Sequence, residues 1–368
     1  MYSTNLQQGI VFSSELNELI FTFQINDSDY LNHADIYVIS DHGPVIFSSR
    51  LFFKGNSASI YNFRSLVEEN LFSLGESYDR LEIEVSVNDA QQQSTFVDVI
   101  YCNEFALIKD REYFLRSNFL SYAVNSRIPR AGFSYFLELY AVKDEPIEYK
   151  ISAIYRDEYQ KQVNIDFYST KNVAPSDGLY SIEVGYEIVN NLIAERLAGH
   201  QFELLAFSVF AGERCASFFI DVDLKQKDAY MFKNKFNISE IVFIPAQIKC
   251  KSDLELSSAI VAGKKMQYDL KPSRTFEVES GPLTVEEAER AELFLMSAKK
   301  YKAIVYDDYS VEWTEILVSD IKCDIDLKPD EPPAISFSWL PTDSRPLAVF
   351  SDSVNTRIFA KQFNPIFN

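Results

Sequence analysis

The chain has 368 residues, of which 47% are hydrophobic and 14% aromatic, with 30 Phe and 21 Tyr against 11 Gly. Such a composition supports large cores of pleated strands and argues against disorder. Its 54 acidic and 35 basic residues give a net charge of −19, a surface that repels polyanions and argues against a reader of nucleic-acid sequence.

At about 100–200 residues per domain, the length points to two or three domains. Cys102, Cys215, Cys250 and Cys323 have no CxxC spacing and each lies in or beside an apolar run, so buried free thiols are expected. The opening MYSTNLQQGIVFSSELNE has no basic segment followed by an apolar one, and no apolar run reaches the roughly 18 residues of a membrane helix. The expectation is a chain with no secretory signal and no membrane span, placed in the cytoplasm or in a particle assembled there.

The first third reads as short strands at 19–25, 34–40, 45–53, 80–87 and 95–102, parted by the turn signals INDSD, SDHGP and KGNS. DIYV and LEIEVSV partly alternate apolar and polar residues, which turns one face to a core and the other to water. Strands of this length and spacing point to a β-sandwich over about 10–104. Further strands at 133–142, 149–156, 163–169 and 180–189 form a second sandwich over 105–228, while REYFLRSNFLSY (111–122) fits a short helix or an amphipathic strand equally well. The two stretches echo each other. SLVEENL (65–71) resembles EIVNNLI (187–193), and FVDVI (96–100) resembles FFIDV (218–222). Val67 to Val189 and Phe96 to Phe218 are both offsets of 122, which suggests two copies of one sandwich.

From Ala229 the texture changes to strands, one helix and strands, a third β domain over 229–368. The clearest helix spans 284–299. Thr284 and Glu287 make a capping box, Glu286, Glu287 and Glu289 crowd the positive end, and Lys299 and Lys300 the negative end. Val285, Ala288, Ala291, Phe294, Leu295 and Ala298 form an apolar stripe that must be covered, so the helix is expected on the sheet of its flanking strands, with Glu286, Glu289, Arg290 and Lys300 in solvent. The fold class is therefore mainly β: two tandem β-sandwiches, then a sandwich- or barrel-like domain with one flanking helix.

Chemistry is hard to find. His33, His42 and His200 stand in polar, turn-like stretches, and no G-x-S-x-G elbow accompanies them. DIDLKPDEPP starts like a calcium loop at Asp324 and Asp326, but Lys328 and Pro329 break it; DVDLKQKD fails at Lys225. Gly263 in VAGKKMQ reads as a hairpin turn and lacks a phosphate-loop frame. No catalytic, metal or cofactor residue is assigned, and no enzyme is expected. The aromatic stretch YMFKNKF interleaves Tyr230, Phe232 and Phe236 with Lys233 and Lys235. It could stack on a base or a sugar, or be a strand that bridges domains or docks on a neighbouring subunit. The acidic chain favours the second. Tyr230, Phe232 and Phe236, with Phe359, Phe363 and Phe367 of the C-terminal RIFAKQFNPIF, are the candidate subunit contacts.

RTFEVESGPLTVEEAERAELFLMSAKKYKA, EILVSDIKCDID and ISFSWLPTDSRP resemble the C-terminal region of bacteriophage or prophage tail proteins of the distal-tail, baseplate-hub type, over about residues 229–346. The resemblance implies a non-enzymatic, homo-oligomeric ring component of a virion or cytoplasmic tail-like particle. Other tail or baseplate proteins would be its partners, and DNA a cargo that slides past an acidic lumen without adhering. A carbohydrate- or protein-binding β-sandwich module, surface or adhesin-like, is the alternative that the same fold allows.

Overall fold

Alternation builds the first part of the chain. It contains β1 (Tyr2–Thr4), β2 (Ile10–Phe12), β3 (Leu19–Phe23), β4 (Asn32–Ser40), β5 (Val45–Phe53), β6 (Ser57–Ile60), helix α1 (Phe63–Leu74), β7 (Tyr78–Val87) and β8 (Gln93–Ile100). The computed structural model describes residues 2–342 except 7–8, 25–31, 54, 89–92, 104–107, 109, 122–124, 131, 170–171, 262–263, 307–309 and 325–331, and gives the backbone alone for the strand residues among 253–273 and for 324. A five-stranded sheet, β2-β8-β7-β4-β5, faces a three-stranded one, β1-β3-β6. Inward residues of both, among them Ile36, Val38, Ile83 and Phe21, join Val67 and Leu71 of α1 in one core.

The second part repeats this plan. It holds α2 (Arg111–Ser117), β9 (Ser126–Ile128), β10 (Tyr135–Ala141), β11 (Pro146–Ile147), β12 (Lys150–Asp157), β13 (Gln162–Tyr168), β14 (Asn172–Val173), β15 (Gly178–Val184), α3 (Tyr186–Leu197), β16 (Phe202–Ala211) and β17 (Arg214–Ile220). Its five-stranded sheet runs β9-β17-β16-β12-β13, strand for strand the order of β2-β8-β7-β4-β5. In each, the short first strand pairs in parallel with the last, and the other pairings are antiparallel. SLVEENL lies in α1 and EIVNNLI in α3, each helix placed before the corresponding strand, β7 or β16.

Two expectations are corrected here. Residues 180–189 do not form one strand: β15 ends at Val184 and α3 starts at Tyr186. Val189 and Ile193, four apart, are both buried, which is a helical spacing. Gly185 makes the joint, because a side chain there would meet the Phe133 carbonyl oxygen at 2.7 Å. The expected single helix is joined by α1, α2 and α3. REYFLRS is the helix α2, its start capped by Asp110, whose carboxylate accepts from the Tyr113 N–H at 2.9 Å.

The last part is a seven-stranded sheet of order β19-β18-β22-β23-β24-β21-β20: β18 (Ala229–Lys233), β19 (Ser239–Phe243), β20 (Ala246–Val261), β21 (Lys264–Ser280), β22 (Lys300–Val305), β23 (Val311–Asp324) and β24 (Ala334–Pro341). Helix α4 (Val285–Met296) lies on it, as its pattern required, but it stops short of the expected residue 299: Ser297 is its extended C-cap, Ala298 and Lys299 lie outside it and Lys300 opens β22. Thr284 Oγ1 accepts from the Glu287 N–H and the Glu287 carboxylate accepts from the Thr284 N–H at 2.9 Å, closing the capping box. Ala288, Ala291, Phe294 and Leu295 are buried against Tyr230, Phe232, Phe276 and Trp339. Arg290 departs from the expected solvent face. It is half-buried and reaches Ser126 of β9 and the Ile241 carbonyl of β19. The chain is mainly β. Cys102, Cys215, Cys250 and Cys323 are free thiols, but only Cys102 is buried; Cys215 and Cys250 are exposed and Cys323 is half-buried. Gly263 and Asp326 to Glu331 lie outside the described residues.

Candidate functional site

The β18–β19 hairpin is the element that organises the centre of the molecule. On β18, Tyr230 and Phe232 point to one side, and both are sealed under α4. Tyr230 lies 5.1 Å from Phe294 and 5.7 Å from Phe337, and Phe232 lies 6.2 Å from Phe294. Phe236, in the turn, sits between the two sandwiches, 6.0 Å from Phe12 and 5.6 Å from Phe114, beside Ile100, Leu115 and Leu120. All three are essentially inaccessible, at 0%, 1% and 1% exposure. Tyr230, Phe232 and Phe236 are therefore not subunit contacts: they are core residues, and the stretch bridges the parts of one chain. Phe359, Phe363 and Phe367 lie outside the described residues.

The turn is built to be inserted. Asn234 Oδ1 accepts from the N–H groups of Phe236 (2.8 Å) and Ile238 (3.1 Å), while its Nδ2 donates to the Leu120 carbonyl at 2.8 Å. Asn237, in the left-handed region at φ 60°, donates to the carbonyls of Leu71 (3.2 Å) and Glu76 (2.8 Å). Lys233 Nζ reaches the Gly75 carbonyl and Lys299 Nζ the Phe72 carbonyl, each at 3.4 Å. Three side chains from the last part of the chain thus satisfy carbonyls at the C-terminal end of α1, where helix polarity favours cations.

Beside this turn, the two sandwiches and the hairpin enclose an open cleft of about 590 Å³. Clefts of 300–1,000 Å³ at junctions of structural units are where ligands are most often bound. One wall is the outward face of β10 and β15. Tyr135, Leu137 and Leu139 turn into the second core, so Phe136 and Glu138 turn out, with Ser181 opposite Glu138. The facing wall is Glu76, Ser77 and Tyr78, with His42 at the rim. The Tyr78 hydroxyl donates to Asp98 at 2.6 Å, and the Tyr180 hydroxyl to the Ser176 carbonyl at 2.6 Å. Burial, aided by the nearby Glu76 charge and opposed by Lys233, holds the Glu138 carboxyl above its ordinary range. Burial pulls the Lys233 ammonium below its own, with Glu138 opposing.

The sequence names only His42 and Lys233 among these cleft residues, and neither as part of a cleft. Phe136 and Glu138 show as alternation in FSYFLELYAV, the one signal available. His42 stands in a turn, its Nε2 3.2 Å from the Tyr78 carbonyl; His200 is exposed near Glu158; His33 lies in β4 beside Phe52, not in a turn. Among the described residues, no three His, Cys, Asp or Glu side chains gather where they could hold a metal ion. No described helix is long and apolar enough to cross a membrane.

No protein-family model and no curated protein matches the chain. Among solved structures, it is similar to calcium-binding domain CBD12 of CALX1.1, at 8% identity and a TM-score of 0.19 over 58% of this chain and 79% of that one. CBD12 from CALX1.2 gives 7% and 0.20 over 57% and 79%. A Ca2+-stabilized adhesin that helps an Antarctic bacterium reach out and bind ice gives 6% and 0.15 over 86% and 72%. Likeness at these scores says nothing about ligand or activity.

Proposed function

We propose that this chain is a non-enzymatic binding protein, a β-sandwich module whose ligand, a protein segment or a carbohydrate, occupies the cleft between the two sandwiches. The observation that carries this is the cleft itself: three parts of the chain, locked by the 233–239 turn, leave between them a half-polar recess with Phe136 half exposed at its wall. A rigid recess of this kind suits binding because little ordering is required when a ligand enters. The test is a panel of neutral oligosaccharides and of peptides, titrated against the wild type and a Phe136→Ala variant that strips the aromatic ring from the cleft wall. Binding that the variant blocks supports the reading. A panel that binds nowhere, or binds equally well to the Phe136→Ala variant, refutes it.

A second reading, a structural subunit of a tail-like particle that assembles through sheet edges, has one specific observation in its favour. β24 pairs with β21 only at Phe276–Glu279, whereas β20 and β21 pair from Ala246–Ser280 out to Val261–Lys264. Residues 264–275 and their partners therefore extend as a two-stranded ribbon of about 40 Å at 3.3 Å per residue. Such a ribbon is marginal alone and offers an edge for pairing with another copy. Light scattering at high concentration decides it: rings or other closed oligomers support assembly, and a strict monomer refutes it.

A further inference from the structure

The inference here rests on the cleft being a binding site and names what it binds. Strand β10 places a glutamate, Glu138, at the middle of a strand and under the cover of a neighbouring part of the chain. Its carboxylate accepts no hydrogen bond from the described residues, and neither does that of Glu76 across the cleft. Lys233 is the cation beside them, but its ammonium donates to the Gly75 carbonyl and makes no ion pair with either carboxylate. The half-buried Glu138 carboxylate thus lacks the charge-assisted partner that such a group needs, and the exposed Glu76 adds a second negative charge at the edge of the same cleft. The raised range of the Glu138 carboxyl agrees with this.

The remaining lining sharpens the choice of ligand. The hydroxyls of Tyr78 and Tyr180 are spent on Asp98 and Ser176, so these residues offer rings and not hydroxyls. Phe136, 50% exposed, offers a ring face. A sugar hydroxyl both donates and accepts, and a site for sugars supplies both kinds of partner. The hydroxyls of Ser77, Ser181 and Ser239 also line this cleft, and what sets it apart is the Glu138 and Glu76 carboxylates beside aromatic surface. Its complement is a group that only donates and carries positive charge: a guanidinium with five N–H donors, or an ammonium with three. Aromatic faces attract the same group, and the −19 chain draws cations toward it.

We propose that the cleft receives an arginine or lysine side chain of a partner protein, held between Glu138 and Glu76 and laid against the Phe136 ring. The volume of about 590 Å³ exceeds what one such side chain fills, so the partner's flanking main chain enters with it.

The experiment uses the full chain at physiological salt, with fluorescently labelled hexa-arginine, hexa-citrulline and maltohexaose as probes, read by fluorescence polarisation. Citrulline keeps the shape of arginine and removes its charge. Hexa-arginine should bind at least tenfold tighter than hexa-citrulline. Glu138→Gln and Phe136→Ala should each weaken it at least fivefold, while Glu289→Gln, an exposed acid on α4, leaves it unchanged. Both cleft side chains point away from the second core, so thermal unfolding of these variants should match the wild type. Equal weakening by E138Q and E289Q would mean diffuse attraction to an acidic surface and overturns the proposal. Maltohexaose binding that F136A abolishes and E138Q spares overturns the cationic ligand but keeps the binding cleft. Absence of binding by every probe overturns both.

Discussion

Truncating Phe236 to alanine should destabilise the chain by about 4 kcal/mol, and should do so across all three of its parts. Phe236 is 1% exposed, so the variant loses the whole transfer free energy of a buried aromatic side chain, about 2 kcal/mol. It also leaves a cavity on the order of 100 Å³, which at roughly 24 cal/mol per Å³ adds about 2 kcal/mol. Collapse is resisted because the walls belong to different elements: Phe12 to β2, Phe114 to α2 and Ile238 to the hairpin itself. Urea unfolding followed through Trp313 and Trp339 gives the stability. Hydrogen exchange gives the location, with lost protection expected at 71–76 and 118–121 as well as at 229–243. A loss below about 1 kcal/mol, or exchange changes confined to the hairpin, would refute the view that this turn fastens the molecule together.

Asn237→Ala removes the donor to the Leu71 and Glu76 carbonyls and puts alanine in the left-handed region; about 3 kcal/mol should be lost in urea unfolding, with α1 exchanging faster. Thr284→Ala breaks the capping box and should cost about 1 kcal/mol, measurable by thermal unfolding, while Thr284→Ser restores most of it. Glu240 is fully enclosed, and burial pushes its carboxyl up to about 7, against the pull of Arg290, Asn234 and Lys235. A folded value above the unfolded one means that its contribution is fully present below about pH 4.5 and is lost as pH rises through about 7. Stability of the wild type relative to Glu240→Gln should therefore fall by on the order of 3 kcal/mol between those limits. Parallel urea curves for the two proteins at each pH would refute this.

Much of the strand layout is legible in the sequence because alternation is a local signal. The runs at 34–40, 45–53 and 80–87 fall within β4, β5 and β7. Helix α4 is legible for a different reason, since the Thr284 and Glu287 pair marks its start chemically. Helices α1 and α3 are not, because their buried stripes are narrow, Phe63, Val67 and Leu71 in α1 and only Val189 and Ile193 in α3, inside a chain rich in strand formers. The hairpin at 230–236 is half legible: its aromatics mark a bridging strand, but not that the bridge lies wholly inside one chain. No local pattern shows that Lys233 folds back onto a backbone carbonyl or that Lys235 is itself buried. The cleft is invisible to any local pattern, since Tyr78, Phe136 and Lys233 meet from three distant segments.

The fastening of α1 by Asn237 also sets an order of events during synthesis. Asn237 stands 166 residues after Leu71, so the helix leaves the ribosome long before the side chain that completes its end exists. At roughly 5–20 residues per second, the first sandwich waits about ten to thirty seconds with those carbonyls facing water. A nascent chain stalled before residue 233 should therefore display a frayed helix that the finished protein does not have.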